Sequence, residues 1–349
     1  MSDRRLLDLT WPELADVLTE LGQPSYRADQ IWNAAFRDLV SSYDAVSTLP
    51  KSLRARLARE LPWSQPRSID SLTSEDGNTT KLLLELEDGE SIESVAMRYP
   101  ERATVCVSTQ AGCAMGCRFC ATGQSGFRRH LRASEIIAQV LAVARLLRGE
   151  SRALTNIVYM GMGEPLDNYD ETLRSIRILN DERGFAMGAR SFTISTVGIV
   201  PEIRRLSHEH IQVTLAVSLH TVDDNLRNDL VPVNRRYPVA DLLQACRDYV
   251  LVTHRRITFE VALLSGVNDS AADARAMAAA LHGILGHVNL IPFNPIPGSD
   301  WTASPDDRID AFAHVLQSGG LPVSIRRSRG IEIQAGCGQL RKRTRGQRR

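Results

Sequence analysis

From Thr104 to Arg326 short apolar runs alternate with amphipathic stretches, and this rhythm limits the fold more than any other feature of the sequence. Strand-like runs lie near 104–108, 156–160, 192–195, 213–218, 257–263, 287–293 and 322–326. Helical periodicity fills the intervals near 134–147, 169–180, from Pro201, 239–251, 270–285 and 305–318, with Ser134 as the expected cap of the first helix. Strand–helix alternation of this kind predicts a parallel sheet covered by helices. About six units are countable, whereas a closed barrel takes eight, so the predicted architecture is α/β, a partial (β/α)6 barrel. Functional side chains of such barrels gather where strands end.

The first of those ends leads into Gln110-Ala111-Gly112-Cys113-Ala114-Met115-Gly116-Cys117-Arg118-Phe119-Cys120. Three thiols at C-x3-C-x2-C suit three corners of an iron–sulfur cube and leave one iron without a protein ligand. Zinc would need a fourth thiolate or imidazole at short spacing, and none follows. With Phe119 before the third cysteine, the stretch resembles the radical S-adenosylmethionine (SAM) signature. That resemblance implies one [4Fe–4S] cluster held by Cys113, Cys117 and Cys120, with SAM chelated to the open iron and Phe119 near its adenine. Gly161-Met162-Gly163-Glu164-Pro165 ends the second strand and resembles the motif that holds the SAM amino group. Gly163 and Glu164 are therefore SAM candidates. Ser195, then Ser218-Leu219-His220, and Asn294 close later strands and share that assignment.

Upstream, residues 1–65 read as three short helices. Thr10 and Glu13 form a capping-box pattern before Leu14, Val17, Leu18 and Leu21. Ser25 is the expected cap of the second helix, with its stripe Ile31, Trp32, Ala35, Phe36 and Leu39. Leu53, Leu57 and Leu61 mark the third. Residues 66–98 read as a β-hairpin extension turning at Asp88-Gly89. The barrel proper spans 99–332, and 333–349 form a cysteine-bearing loop and a basic tail. Net charge is +1, so no global nucleic-acid signature exists. The last nine residues nevertheless carry six basic groups and no acid. No apolar run is long enough to cross a bilayer. Bunched cysteines without an export signal predict a reducing cytoplasm.

Two thiols lie outside the triplet in suggestive places. Cys106 ends a strand, and Cys337 sits in the glycine-flanked segment Gln334-Ala335-Gly336-Cys337-Gly338-Gln339-Leu340, expected to be a flexible loop. Cys246, in an apolar helix, reads as buried and inert. With these residues the chain resembles the RlmN family of radical SAM adenosine methyltransferases over nearly its full length. The likeness extends to Tyr26–Trp32, Glu93-Ser94-Val95, Arg102–Cys106, Gly126–Arg129, Arg227–Asn234 and Cys337–Leu340.

The resemblance implies methylation of adenine C2 in 23S rRNA at the peptidyl-transferase centre, with tRNA as a second candidate substrate. It implies two SAM molecules per turnover. The first methylates Cys337; the second yields a 5′-deoxyadenosyl radical that takes a hydrogen from that methyl. The methylene then adds to C2, Glu93 accepts a proton, and Cys106 attacks the sulfur of Cys337, leaving a disulfide. A low-potential electron donor and a thiol reductant are implied partners, and a monomer is expected. Candidate phosphate contacts are Arg128, Arg129, His130, Arg132, Arg326, Arg327, Arg329 and the tail. Arg27, Arg37, Lys51, Arg54 and Arg56 could dock RNA from the N-terminal module. Two other readings stay open: the sister Cfr-type activity at C8, and a non-catalytic iron–sulfur RNA-binding redox sensor.

Overall fold

A computed structural model describes residues 4–63, 65–326 and 329–340. Three helices open the chain: α1 (Trp11–Glu20), α2 (Tyr26–Phe36) and α3 (Lys51–Glu60). The capping box at the start of α1 forms, with the Thr10 N–H donating to Glu13 Oε2 at 2.7 Å. Ser25 does not cap α2, because its own backbone is already helical and its hydroxyl makes no cap bond. The apolar faces, Trp32 and Leu57 among them, join the same core as the barrel.

Next comes an antiparallel meander, β1 (Arg67–Thr73), β2 (Thr79–Glu85) and β3 (Ser91–Arg98). The expected hairpin is its second half, turning through Gly89 at φ 83°. β1 carries no strand signal in the sequence, being largely exposed and polar with no apolar alternation. β3 then pairs antiparallel with β4 (Ala103–Cys106), placing Val95 opposite Cys106. Thus the extension is not an appendage but continues the barrel sheet.

A two-stranded ribbon, β5 (Gln110–Gly112) and β6 (Phe127–His130), brackets the cysteine loop and the one-turn helix α4 (Ala121–Gln124). From there the alternation runs as expected: α5 (Ala133–Gly149), β7 (Asn156–Tyr159), α6 (Tyr169–Asn180), β8 (Phe192–Thr196), α7 (Val200–Ser207) and β9 (Thr214–Ser218). Two helices follow, α8 (Asp224–Leu230) and α9 (Val239–Thr253), before β10 (Ile257–Leu263). The chain then forms α10 (Ala271–Leu281), β11 (Gly286–Pro292), α11 (Asp306–Ser318) and β12 (Val323–Ile325). Among the described residues the main sheet has ten strands, in the order β1-β2-β3-β4-β7-β8-β9-β10-β11-β12, parallel from β4 onward. It is open, with β1 and β12 at its edges, and so a partial barrel.

Ser134 lies inside α5 rather than capping it. The helix starts at Ala133, and three carboxylates receive its first N–H groups. Glu135 Oε2 accepts from Arg132 N at 2.9 Å, Glu171 Oε2 from Ala133 N at 2.6 Å, and Asp8 Oδ1 from Ser134 N at 2.8 Å. Acids here complement the positive end of the helix, and Asp8 ties the N-terminal module to the barrel. No helix among the described residues is long and apolar enough to cross a membrane.

Candidate active site

The cysteine loop is shaped by its backbone. Gly112 has φ 83°, and a Cβ there would stand 1.9 Å from the Gly126 oxygen. That same oxygen accepts from Cys113 N at 3.1 Å, closing the loop at its base. Cys113, Cys117 and Cys120 line one cavity together with Met115 and Phe119. All six cysteines are free thiols. Burial pushes the Cys113 thiol up to about 12 and the Cys117 thiol well above its ordinary value, with Cys120 adding to both. Three crowded thiols of this kind ionise only if a strong positive charge joins them.

Across the cavity stands Glu164, 3% exposed. It is no surface carboxylate. Its Oε2 accepts from Val197 N at 2.9 Å and its Oε1 from Leu166 N at 3.0 Å, spanning the ends of β7 and β8. Burial raises its carboxyl to about 7 against those bonds. Gly163, at φ 103°, lets the turn lie on Gln110, since a Cβ would come 2.6 Å from the Gln110 Cβ. Ser195, Ser218, His220 and Asn294 line the same cavity from the ends of β8, β9 and β11. His220 is buried, its ring 4.3 Å from that of Phe119, and its Nδ1 accepts from Ala262 N at 3.1 Å. Burial and then Arg227 hold it neutral, down to about 3.

Leu219 is not brought there. Its side chain is fully buried in the core, its N–H donates to Glu260 O and its carbonyl accepts from Arg227. A strand's alternation explains the result: with Ser218 facing the cavity, the next residue faces away.

Cys337 meets the cysteine loop from more than two hundred residues away. The Asn294 side-chain amide donates to Cys337 O at 3.0 Å, and Ala121 N donates to Gly338 O at 2.7 Å. The Thr122 hydroxyl donates to Leu340 O at 2.5 Å, and the Gln339 amide to Pro295 O at 3.0 Å. Instead of hanging free, the segment is docked beside the cysteine loop. Cys106 lines a second, lower chamber inside the barrel, which Cys337 shares. Burial, then Cys337, pushes the Cys106 thiol up to about 12, while Arg326 pulls the other way. Glu93 is 1% exposed, beside Lys81 with Nζ–Oε1 3.2 Å. Lys81 also donates to Gln334 O at 3.0 Å, linking β2 and β3 to the Cys337 segment.

A family model described as the radical SAM superfamily matches residues 107–277, and one for the ribosomal RNA large subunit methyltransferase N-terminal domain matches residues 5–61. A probable dual-specificity RNA methyltransferase RlmN of Chloroflexus aurantiacus is 46% identical, covering 97% of this chain and 93% of the relative. The dual-specificity RNA methyltransferase RlmN 1 of Myxococcus xanthus is 47% identical, covering 96% and 94%. The chain belongs to the RlmN family. A crystal structure of a radical SAM methyltransferase from Sphaerobacter thermophilus is 52% identical, covers 97% of this chain and 99% of that one, and superposes with a TM-score of 0.96. The RlmN-family chain is thus an enzyme, a radical SAM methyltransferase.

Membership of the radical SAM superfamily implies a [4Fe–4S] cluster and SAM, and the upper cavity suits both. Its three thiols, two of them buried, lack a counter-charge that iron provides, and Glu164 offers a buried carboxylate to an ammonium.

Several of the site's surroundings carry little signal in the sequence. Glu260 reaches the cavity from β10, its Oε2 accepting from Asn289 at 2.8 Å; a lone carboxylate within Ile257–Leu263 was the available signal. Arg227, fully buried, fastens the β8 and β9 ends: it donates to Leu219 O at 3.1 Å, Val197 O at 2.8 Å, Ser218 O at 3.1 Å and Asn234 Oδ1 at 2.7 Å. Three arginines of the N-terminal module serve its own loops, and Arg37 reaches the barrel. Arg27 donates to Thr48 O, Arg37 to Glu182 O, Arg54 to Asp44 O and Arg56 to Leu21 O. Arg129 is paired with Asp88 and Glu135. Arg132 lies 3.9 Å from Asp8, whereas Arg128 and His130 are exposed. Arg329 is exposed beside Tyr99, and Arg326 faces inward. Arg327 and the basic tail lie outside the described residues.

Proposed function

We propose that this enzyme methylates C2 of an adenine in 23S rRNA, with tRNA as a second substrate, using two SAM molecules per turnover. The observation that carries the reading is the docking of the Cys337 segment onto the cluster loop, with Cys106 lining the chamber that Cys337 shares. Bound in the upper cavity, SAM and the cluster supply a methyl group and the radical chemistry that an inert aromatic C–H requires.

The chain's own residues do the rest. Glu164 and the strand-end groups Gly163, Ser195, Ser218, His220 and Asn294 hold the cofactor, with the Phe119 ring tilted against that of His220. The Cys337 thiol takes the methyl and carries its carbon to C2. Glu93, anchored by Lys81, accepts the C2 proton. Cys106 then attacks the Cys337 sulfur, forming a Cys106–Cys337 disulfide as the product leaves. A thiol reductant restores both cysteines. The target base must be unstacked to enter. The residue boundaries 1–65, 66–98, 99–332 and 333–349 are proposed as the functional divisions of the chain, the last bringing the reactive thiol to the barrel.

The test is nucleoside mass spectrometry of rRNA and tRNA from cells lacking the protein, and from such cells given it back. The expected result is loss and return of 2-methyladenosine. Recovery of 8-methyladenosine instead would assign the chemistry to C8. RNA unchanged in both cases would favour a non-catalytic redox sensor.

A further inference from the structure

Two chambers meet inside the barrel, and Met160, Glu260, Arg326 and Cys337 line both. They form its waist. Above lie the cluster cysteines and Glu164; below lies Cys106. Arg326 reaches this position by strand register. Ser324 of β12 pairs with Asn289 of β11, and Arg326 N continues the ladder by donating to Leu290 O at 2.8 Å. Two residues past Ser324, the Arg326 side chain falls on the same inward face. Its guanidinium makes no hydrogen bond to another described side chain, although it has five donors. It is the cation that both chambers share.

Several elements bring groups to the lower chamber that Arg326 lines: Cys337 from its docked segment, Glu260 from β10, Tyr99 after β3 and Cys106 from β4. Arg102, Arg329 and His287 complete the ionisable lining below. Cys337 affects Arg326 most strongly, raising its proton affinity, with Glu260, Tyr99 and Cys106 adding to the effect. The influence is reciprocal, since Arg326 eases ionisation of Cys106. Glu260 competes for the same cation. Burial raises its carboxyl, while Arg326 and then Asn289 act against that.

We propose that Arg326 is the charge partner of Cys106: its guanidinium, at the waist between the chambers, stabilises the Cys106 thiolate, and Glu260 tempers that effect. The proposal rests on the role given above to Cys106. That role needs a thiolate, since the thiolate is the nucleophile in attack on sulfur. Burial raises the Cys106 thiol, and the guanidinium offsets part of that rise. Arginine suits the task because it remains charged when partly buried.

The test uses the cluster-bearing enzyme and three variants, Arg326→Met, Arg326→Lys and Glu260→Gln. Alkylation of Cys106 by iodoacetamide is followed by peptide mass spectrometry across pH, together with the fraction of Cys337 carrying a methyl group. Arg326→Met should shift the Cys106 profile upward by about one pH unit or more, slowing alkylation near neutrality by about tenfold. Arg326→Lys should lie between it and the parent, and Glu260→Gln should shift the profile downward. An unchanged profile in Arg326→Met overturns the proposal. Should that variant lose its iron–sulfur absorbance, the opposite shifts of Arg326→Lys and Glu260→Gln decide, and a failure of the two to diverge overturns it. Absence of methyl on Cys337 in the parent enzyme would instead sink the proposed role of Cys337, while the Cys106 profile would still report on Arg326.

Discussion

The upper and lower chambers of the barrel share a waist but are built differently. The upper one is made of compact sequence motifs. Three of its thiols come from eight consecutive residues, and Glu164 comes from a five-residue turn. The lower one is assembled from single side chains. Thr104, Asn156, Thr193, Thr214, Thr258 and Ser324 arrive from six different strands, and Thr193 sits directly opposite Thr214. The upper chamber has crowded thiols and a raised carboxyl that invite a cation. The lower one sets hydroxyls and amides of many strands beside a few ionisable groups. The contrast suggests that cofactor chemistry is concentrated in local motifs, whereas the chamber beneath depends on the sheet as a whole.

The sharpest way to break this division is to remove the triplet. Replacing Cys113, Cys117 and Cys120 together with Ala should abolish iron–sulfur absorbance and SAM cleavage while far-ultraviolet circular dichroism stays that of the parent. Retention of the cluster would show that the upper chamber is not its seat.

The next test separates the two thiols at and below the waist. Cys337→Ala should carry neither the methyl group nor any RNA. Cys106→Ala should still be methylated at Cys337 and accumulate as a covalent RNA adduct, because no thiolate is left to release it. Denaturing gels with and without ribonuclease distinguish these outcomes. Normal turnover by the Cys106 variant would remove the lower chamber from the chemistry.

Glu164 provides a milder, graded test. Glu164→Gln should weaken SAM binding by roughly ten- to a hundredfold, the worth of a charge-assisted bond of about 1.5–3 kcal/mol, with the cluster retained. Isothermal titration measures it. The same residue links stability to pH. Its folded value of about 7 exceeds its ordinary 4.5, so between these values the folded chain holds more protons than the unfolded one. Its contribution is complete below about 4.5 and lost as pH rises through about 7. In urea melts of cluster-free protein, Glu164→Gln should therefore lose less stability than the parent between pH 5 and 8, by on the order of 2–3 kcal/mol. His220, held neutral, works in the opposite direction, so only the difference between the two proteins is diagnostic. Equal slopes would mean that Glu164 does not titrate there.

The smallest expected effect is at the lower wall. Thr193→Val deletes one hydroxyl among many and should change stability by about 1 kcal/mol or less, without altering SAM affinity. A large loss of SAM affinity would erase the distinction between the chambers.

By itself the sequence determined the strand–helix rhythm, the open barrel, the cysteine triplet and Glu164. Each is written in neighbouring residues: alternation sets an element, and ligand spacing sets a loop. Tertiary structure alone decided what separate strands bring together. It turned the expected hairpin into part of the main sheet, because β3 pairs with β4, and it added the polar β1 through pairing with β2. It docked the segment expected to swing freely, through hydrogen bonds to residues far away in sequence. It moved Leu219 into the core and Arg326 into the waist, because alternation along a strand assigns faces only once the register with its neighbours is fixed.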